Sequence, residues 1–177
     1  MARYTADPTK DTAGFPVLPK GDYRLSIGEP KAFKGETKEG ANAGQENYGI
    51  GFLCTVVEGP VDLDGNPSPV EHKAKKVYNR LYYHTQDSRN YSKGFILAGF
   101  GFSLREEDEF NKKIAELREQ NPDDPALDWS FDPDTGECGE AWRALTSREI
   151  IASLSVVKDK NEKEQQKWDV VRPVPVS

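Results

Sequence analysis

The chain is poor in the residues that most often carry chemistry: 177 residues include only two cysteines, Cys54 and Cys138, two histidines and one methionine. Two widely separated cysteines provide neither a disulfide framework nor a Cys-x-x-Cys pair for a metal. His72 and His84 have no carboxylate at motif spacing, and GxSxG, HExxH and Walker sequences are all missing. Asp62, Asp64 and Asn66 resemble the opening of a calcium loop, but Pro67 stands where that loop needs glycine. Asp132, Asp134 and Glu137 fail similarly, so both clusters read as turns. No apolar run approaches the roughly 18 residues of a membrane-spanning helix, and the first residues show no apolar signal core and no Arg-rich leader. A cytoplasmic, non-enzymatic protein with no cofactor, no metal and no membrane partner is expected.

Charge, by contrast, is abundant and unevenly placed. The net charge is −6, which argues against nucleic acid only if it is spread evenly. Residues 1–104 carry 13 Lys/Arg against 12 Asp/Glu, residues 105–146 carry 5 against 13, and residues 147–177 carry 6 against 5. The acidity is therefore one block, and the remainder is close to neutral with local basic runs.

Hydrophobic periodicity divides the chain further. Residues 1–20 hold Pro8, Gly14, Pro16 and Pro19 and read as an N-terminal arm. Tyr23, Leu25 and Ile27 alternate with polar residues and predict a first half-buried strand. Lys34 to Asn47, with three glycines, reads as a long loop. Ile50, Phe52, Cys54 and Val56 predict a second strand over 48–57, and a Gly/Pro-rich turn returns the chain into a third over 75–84, forming a hairpin. Tyr91, Phe95, Ala98 and Phe102 recur at helical spacing. Ser103 to Glu106 has capping-box form ahead of an amphipathic acidic helix marked by Phe110, Ile114 and Leu117, which Pro122 ends. Residues 122–140 read as irregular connection, and Arg148–Lys158 and Gln165–Val171 as two final strands before a Pro-spaced tail at 173–177. The fold class expected is mainly β with a helical insertion: a five-stranded OB-fold-like barrel over 21–172, with one or two helices between strands three and four and the acidic insertion at about 105–140.

The third strand carries the clearest functional pattern. Val77, Leu81 and Tyr83 share one face, while Lys76, Tyr78, Arg80, Tyr82 and His84 share the other. Single-stranded nucleic acid needs that mixture, because cations neutralise phosphates while flat side chains stack on exposed bases. An ordinary edge strand, protected by lysine and built with tyrosine, has the same composition. Lys73 and Lys75 extend the basic stretch, and from His72 to Lys93 six Lys/Arg face one acid, Asp87. Lys31, Phe33, Lys34 and Lys38 repeat the pattern on a smaller scale at the start of the first long loop. Trp168 in the last strand is a further candidate, although a lone strand tryptophan more often belongs to a core.

The segments LPKGDYRLSI, TVVEGP, AKKVYNRLYY and FILAGFGF, followed by a late strand pair, resemble a family of phage-encoded single-stranded-DNA-binding proteins with an OB fold, long catalogued as a domain of unknown function. The matching positions are Pro19, Gly21 and Tyr23, then Glu58 and Gly59, then Lys75 and Lys76, and the likeness covers about 17–104 and 142–172. It implies sequence-tolerant binding of single-stranded DNA in phage DNA replication or recombination, inside an infected bacterial host, alongside phage replication or recombination proteins. Homo-oligomer formation fits this expectation, since one OB fold covers few nucleotides. The acidic block looks like an enlargement of the family's usual connection, and the tail departs from the acidic, Phe-ended tip that recruits replication partners. The rival expectation is a phage or bacterial protein-interaction module whose working surface is the acidic helix.

Overall fold

A computed structural model describes residues 17–36, 43–61 and 72–175. Lys38 and the Asp62/Asp64/Asn66 cluster lie outside the described residues, as does most of the expected arm. The arm's last residues are anchored: Leu18 is buried, and its backbone N–H donates to Gln166 Oε1 at 2.7 Å.

Six strands form one antiparallel sheet that does not close on itself: β1 (Gly21–Ser26), β2 (Pro30–Glu36), β3 (Glu46–Val61), β4 (Lys76–Tyr82), β5 (Glu149–Lys158) and β6 (Glu164–Pro173). The order is β2-β3-β1-β5-β6, with β4 also paired to β3. The expected hairpin of the second and third strands is the β3–β4 pair. The long loop expected from Lys34 is corrected, since Pro30–Glu36 is a strand. Its alternation is short, and its partner is the N-terminal half of a 16-residue β3 that begins earlier than periodicity indicated.

The ladder register explains how β2 arises. Leu25 and Ser26 pair with Val56 and Thr55, and Pro30 then pairs with Phe52. Three residues, 27 to 29, thus oppose two, 53 and 54, so β1 and β2 form one bulged strand running along one edge of β3. At this crease Ile27 turns to the other side, its N–H donating to Arg148 O at 2.8 Å while its carbonyl accepts from Ser147 N–H at 2.7 Å. Glycine is required beside it: a Cβ on Gly28 would lie 2.1 Å from the Leu53 carbonyl oxygen.

α1 (Gln86–Gly99) follows β4 and packs against both β4 and β6, which have no ladder between them among the described residues. Thr85 caps it by accepting the Ser88 N–H at 3.1 Å. Its buried face brings Phe95 onto Phe52, with ring centroids 5.1 Å apart, and completes the core built by Tyr23, Leu25, Ile50, Leu81 and Ile150. Phe102 lies beyond the helix end, because the chain leaves the helix after Gly99.

The capping box at Ser103 and Glu106 is present, and α2 (Glu107–Gln120) follows. Phe110 is buried against Phe100 and Phe102, whereas Leu117 at the far end of the stripe is largely exposed. The 122–140 connection is more ordered than its composition suggested. It contains a single helical turn at Pro125–Leu127 and an antiparallel bridge between Phe131 and Cys138. α3 (Glu140–Arg143) buries Trp142, whose indole donates to the Trp129 carbonyl at 2.6 Å. Among the described residues no helix is long and apolar enough to cross a membrane.

Candidate nucleic-acid interface

Side chains alternate on β2, β3 and β4, so the inner face takes Ala32, Ile50, Phe52, Cys54, Val77 and Leu81. Burial pushes the Cys54 thiol up to about 12, which marks it as packing rather than a reactive group. Asn79 joins the inward set, where the Tyr91 hydroxyl approaches its Oδ1 at 3.4 Å.

The outer face is decided by register. Lys31 and Arg80 both pair with Gly51, and Phe33 and Tyr82 both pair with Gly49. Two cross-strand rows result, Lys31·Gly51·Arg80 and Phe33·Gly49·Tyr82, each with glycine at its centre. Strands two apart in a sheet are separated by about 9.5 Å. Because the centre is empty of side chain, the flanking groups lean together, and Phe33 meets Tyr82 edge to face at 5.3 Å between centroids. The Arg80 guanidinium carbon lies 5.6 Å from the Phe33 centroid and 5.3 Å from that of Tyr78. Tyr78 itself lies over Gly51, where an added Cβ would fall 1.8 Å from its hydroxyl oxygen. Burial works against the Arg80 charge, but hydrogen bonding to Tyr82 and Tyr78 outweighs it and the pKa is raised. The guanidinium sits between the Phe33 and Tyr78 rings.

Past the end of β4 the ring contacts leave the outer face, since Tyr48 pairs with Lys34 in the phase opposite to Gly49. Tyr82 meets His84 at 5.5 Å, His84 meets Tyr48 at 6.5 Å, and Tyr48 meets Phe131 of the insertion at 6.2 Å. Tyr78 and Tyr48 are 40% and 36% exposed. In the other direction Lys76 lies two residues from Tyr78 on the same face, its ammonium donating to Thr55 Oγ1 at 2.5 Å. Lys73 and Lys75 are exposed in the turn before β4, with Lys75 Nζ 3.0 Å from His72 Nδ1.

Of the residues expected from sequence, Lys31, Phe33, Lys76, Tyr78, Arg80, Tyr82 and His84 therefore share one surface. Lys31 and Phe33 reach it from a strand rather than a flexible loop. Lys34 points elsewhere: it is near the end of β2 in the opposite phase, ion-paired with Asp134 of the insertion, and the hydrogen bond it donates to that carboxylate raises its pKa. Trp168 is not brought to this surface: it packs on buried Phe95 at 6.5 Å between centroids, beside α1. Its Nε1 is buried without a hydrogen-bond partner among the described residues. Gly49 and Gly51 were missed, as were Tyr48 and Phe131, which border the face rather than lie on it. The two glycines alternating within a strand were the available signal, since a glycine in a strand marks a close approach.

A cavity of about 570 Å³ between α1, α2 and the 129–131 segment touches the ring row only through Phe131. Among the described residues no cluster of three or more His, Cys, Asp or Glu side chains is arranged for a metal ion. No protein-family model matches the chain, and no curated protein matches it at a significant level.

Proposed function

We propose that the protein binds single-stranded DNA with little sequence preference, using the outer face of β2, β3 and β4. The observation that carries this reading is the glycine-centred pair of rows, in which Lys31 and Arg80 flank Gly51 while Phe33 and Tyr82 flank Gly49. Rings offer stacking to any base, worth about 1 to 3 kcal/mol each, and the interleaved cations answer the phosphates. Hydrogen-bond readout of particular base edges is not needed for such binding.

The architecture supports the same reading. Counting β1 and β2 as one bulged strand gives five, paired first to second, second to third, first to fourth and fourth to fifth, with α1 following the third. That pairing order agrees with a partly open OB barrel, a fold whose second and third strands form the ligand face. Together with the resemblance to phage single-stranded-DNA-binding proteins, it favours a role in phage DNA replication or recombination.

The test is a titration of fluorescent oligo-dT against a duplex of equal length at two salt concentrations. Preference for the single strand with a logarithmic salt slope near −3, the value for about four neutralised phosphates at about −0.7 each, supports the proposal. A flat salt response would favour the second reading, a protein-interaction surface on α2, where Glu107, Asp108, Glu109, Glu116 and Glu119 are all exposed.

A further inference from the structure

The acidic insertion reaches the edge of the binding face through one turn. Asp132 to Glu137 is self-supporting: the Asp132 N–H donates to Glu137 O and the Gly136 N–H to Asp132 O, both at 2.8 Å, and the Asp134 N–H donates to Asp132 Oδ1 at 2.9 Å. The Phe131–Cys138 bridge closes its base. This turn docks on the edge of β2 that faces away from β3, where the Ala32 N–H donates to Gly136 O at 3.0 Å. Gly136 lies against the stem of Lys31, so closely that a Cβ there would sit 3.3 Å from Lys31 Cε. The docking brings Asp134 onto the Lys34 ammonium, 100 positions away in sequence.

We propose that this turn is a built-in competitor for phosphate at the edge of the sheet: Asp134 occupies Lys34, which lies off the outer face, and a bound strand that passes from that face over the edge of β2 must displace it. The inference rests on the single-stranded-DNA reading above and makes Asp134 a residue that sets the threshold for binding. A carboxylate and a phosphate compete for the same ammonium in the same place. Lys34 and Asp134 have side chains 53% and 70% exposed, so their pair is weak enough to exchange. When phosphate replaces the carboxylate, the strand releases its counterions but the freed Asp134 takes up a cation, so Lys34 adds little to the salt dependence.

Asp134→Asn removes the competitor while preserving the side-chain shape. Oligo-dT binding should tighten about two- to fivefold, the range an exposed ion pair is worth. The logarithmic salt slope should steepen by about 0.7, because one more phosphate is neutralised without cation uptake. Adding Lys34→Gln should abolish both gains, with unchanged thermal melting showing that each variant is folded. If wild type binds and Asp134→Asn matches it in affinity and slope, the inference is overturned and the binding reading stands. A gain that survives Lys34→Gln also overturns it, since the effect would then be general charge repulsion. No binding of oligo-dT by either protein at low salt overturns both.

Discussion

Gly51 is where the binding face can be separated from the stability of the sheet. Replacing it with alanine places a methyl group 1.8 Å from the Tyr78 hydroxyl oxygen, so the end of that ring must withdraw by at least roughly 1.7 Å to reach an ordinary contact of about 3.5 Å. Tyr78 is 40% exposed and can swing into solvent. The fold loses the Tyr78–Arg80 contact, about 0.5 to 1 kcal/mol at an exposed site, and recovers a similar amount because glycine within a strand is unfavourable relative to alanine by roughly 0.5 to 1 kcal/mol. Stability should therefore change by less than about 1 kcal/mol. Binding should not be spared, because Tyr78 leaves its seat over β3, and the loss of one stack, about 1 to 3 kcal/mol, weakens oligo-dT affinity about 5- to 150-fold.

Gly49 supplies the contrast. An added Cβ there lies 2.0 Å from the Leu81 carbonyl oxygen, backbone of the strand paired with it, and no side-chain rotation relieves the contact. Gly49→Ala should destabilise the protein by about 1 to 3 kcal/mol, as overpacking does elsewhere. Thermal melting and fluorescence anisotropy with labelled oligo-dT measure both quantities on both variants. A Gly51→Ala protein that melts like wild type and binds oligo-dT just as tightly refutes the claim that Tyr78, held over Gly51, is part of the site.

Changing Tyr78 and Tyr82 together to alanine should cost roughly 2 to 6 kcal/mol of oligo-dT affinity, read by the same titration, and an unaltered affinity in the folded double variant would remove the stacking platform. Trp168→Phe should leave affinity within about a factor of two, because its ring packs on Phe95 rather than on the outer face; a tenfold loss would return Trp168 to the site. Burial pushes Tyr83 and Tyr91 each up to about 12. The fold favours their protonated forms, so the stability they confer is complete below about pH 10, where unfolded tyrosine ionises, and is lost as pH rises towards 12. Ultraviolet titration of tyrosinate should show part of the absorbance change displaced towards pH 12, together with a falling unfolding free energy over that interval.

Local signals were sufficient for much of the fold. Tyr23, Leu25 and Ile27, then Ile50, Phe52 and Cys54, then Val77 and Leu81 mark strands because alternation places every second residue against one core. Phe95 and Ala98 mark α1 for the corresponding reason at helical spacing. The cation-and-ring composition of Lys76, Tyr78, Arg80 and Tyr82 was legible in the same way, since it depends only on which side of one strand a residue occupies. What lies between strands was not. β2 exists because a bulge at residues 27–29 keeps the chain on the edge of β3, and its own residues carry too short an alternation to announce it. The meeting of Lys31 and Phe33 with Arg80 and Tyr82 depends on two independent registers that converge on Gly51 and Gly49. Trp168 joined the core because α1 bridges β4 and β6, and Lys34 acquired Asp134 because the insertion docks on β2. Sequence alone determined what each strand offers on its two faces, because side-chain alternation is a property of the extended backbone; only the tertiary structure decided which offerings meet, because pairing register and docking are set between segments distant in the chain.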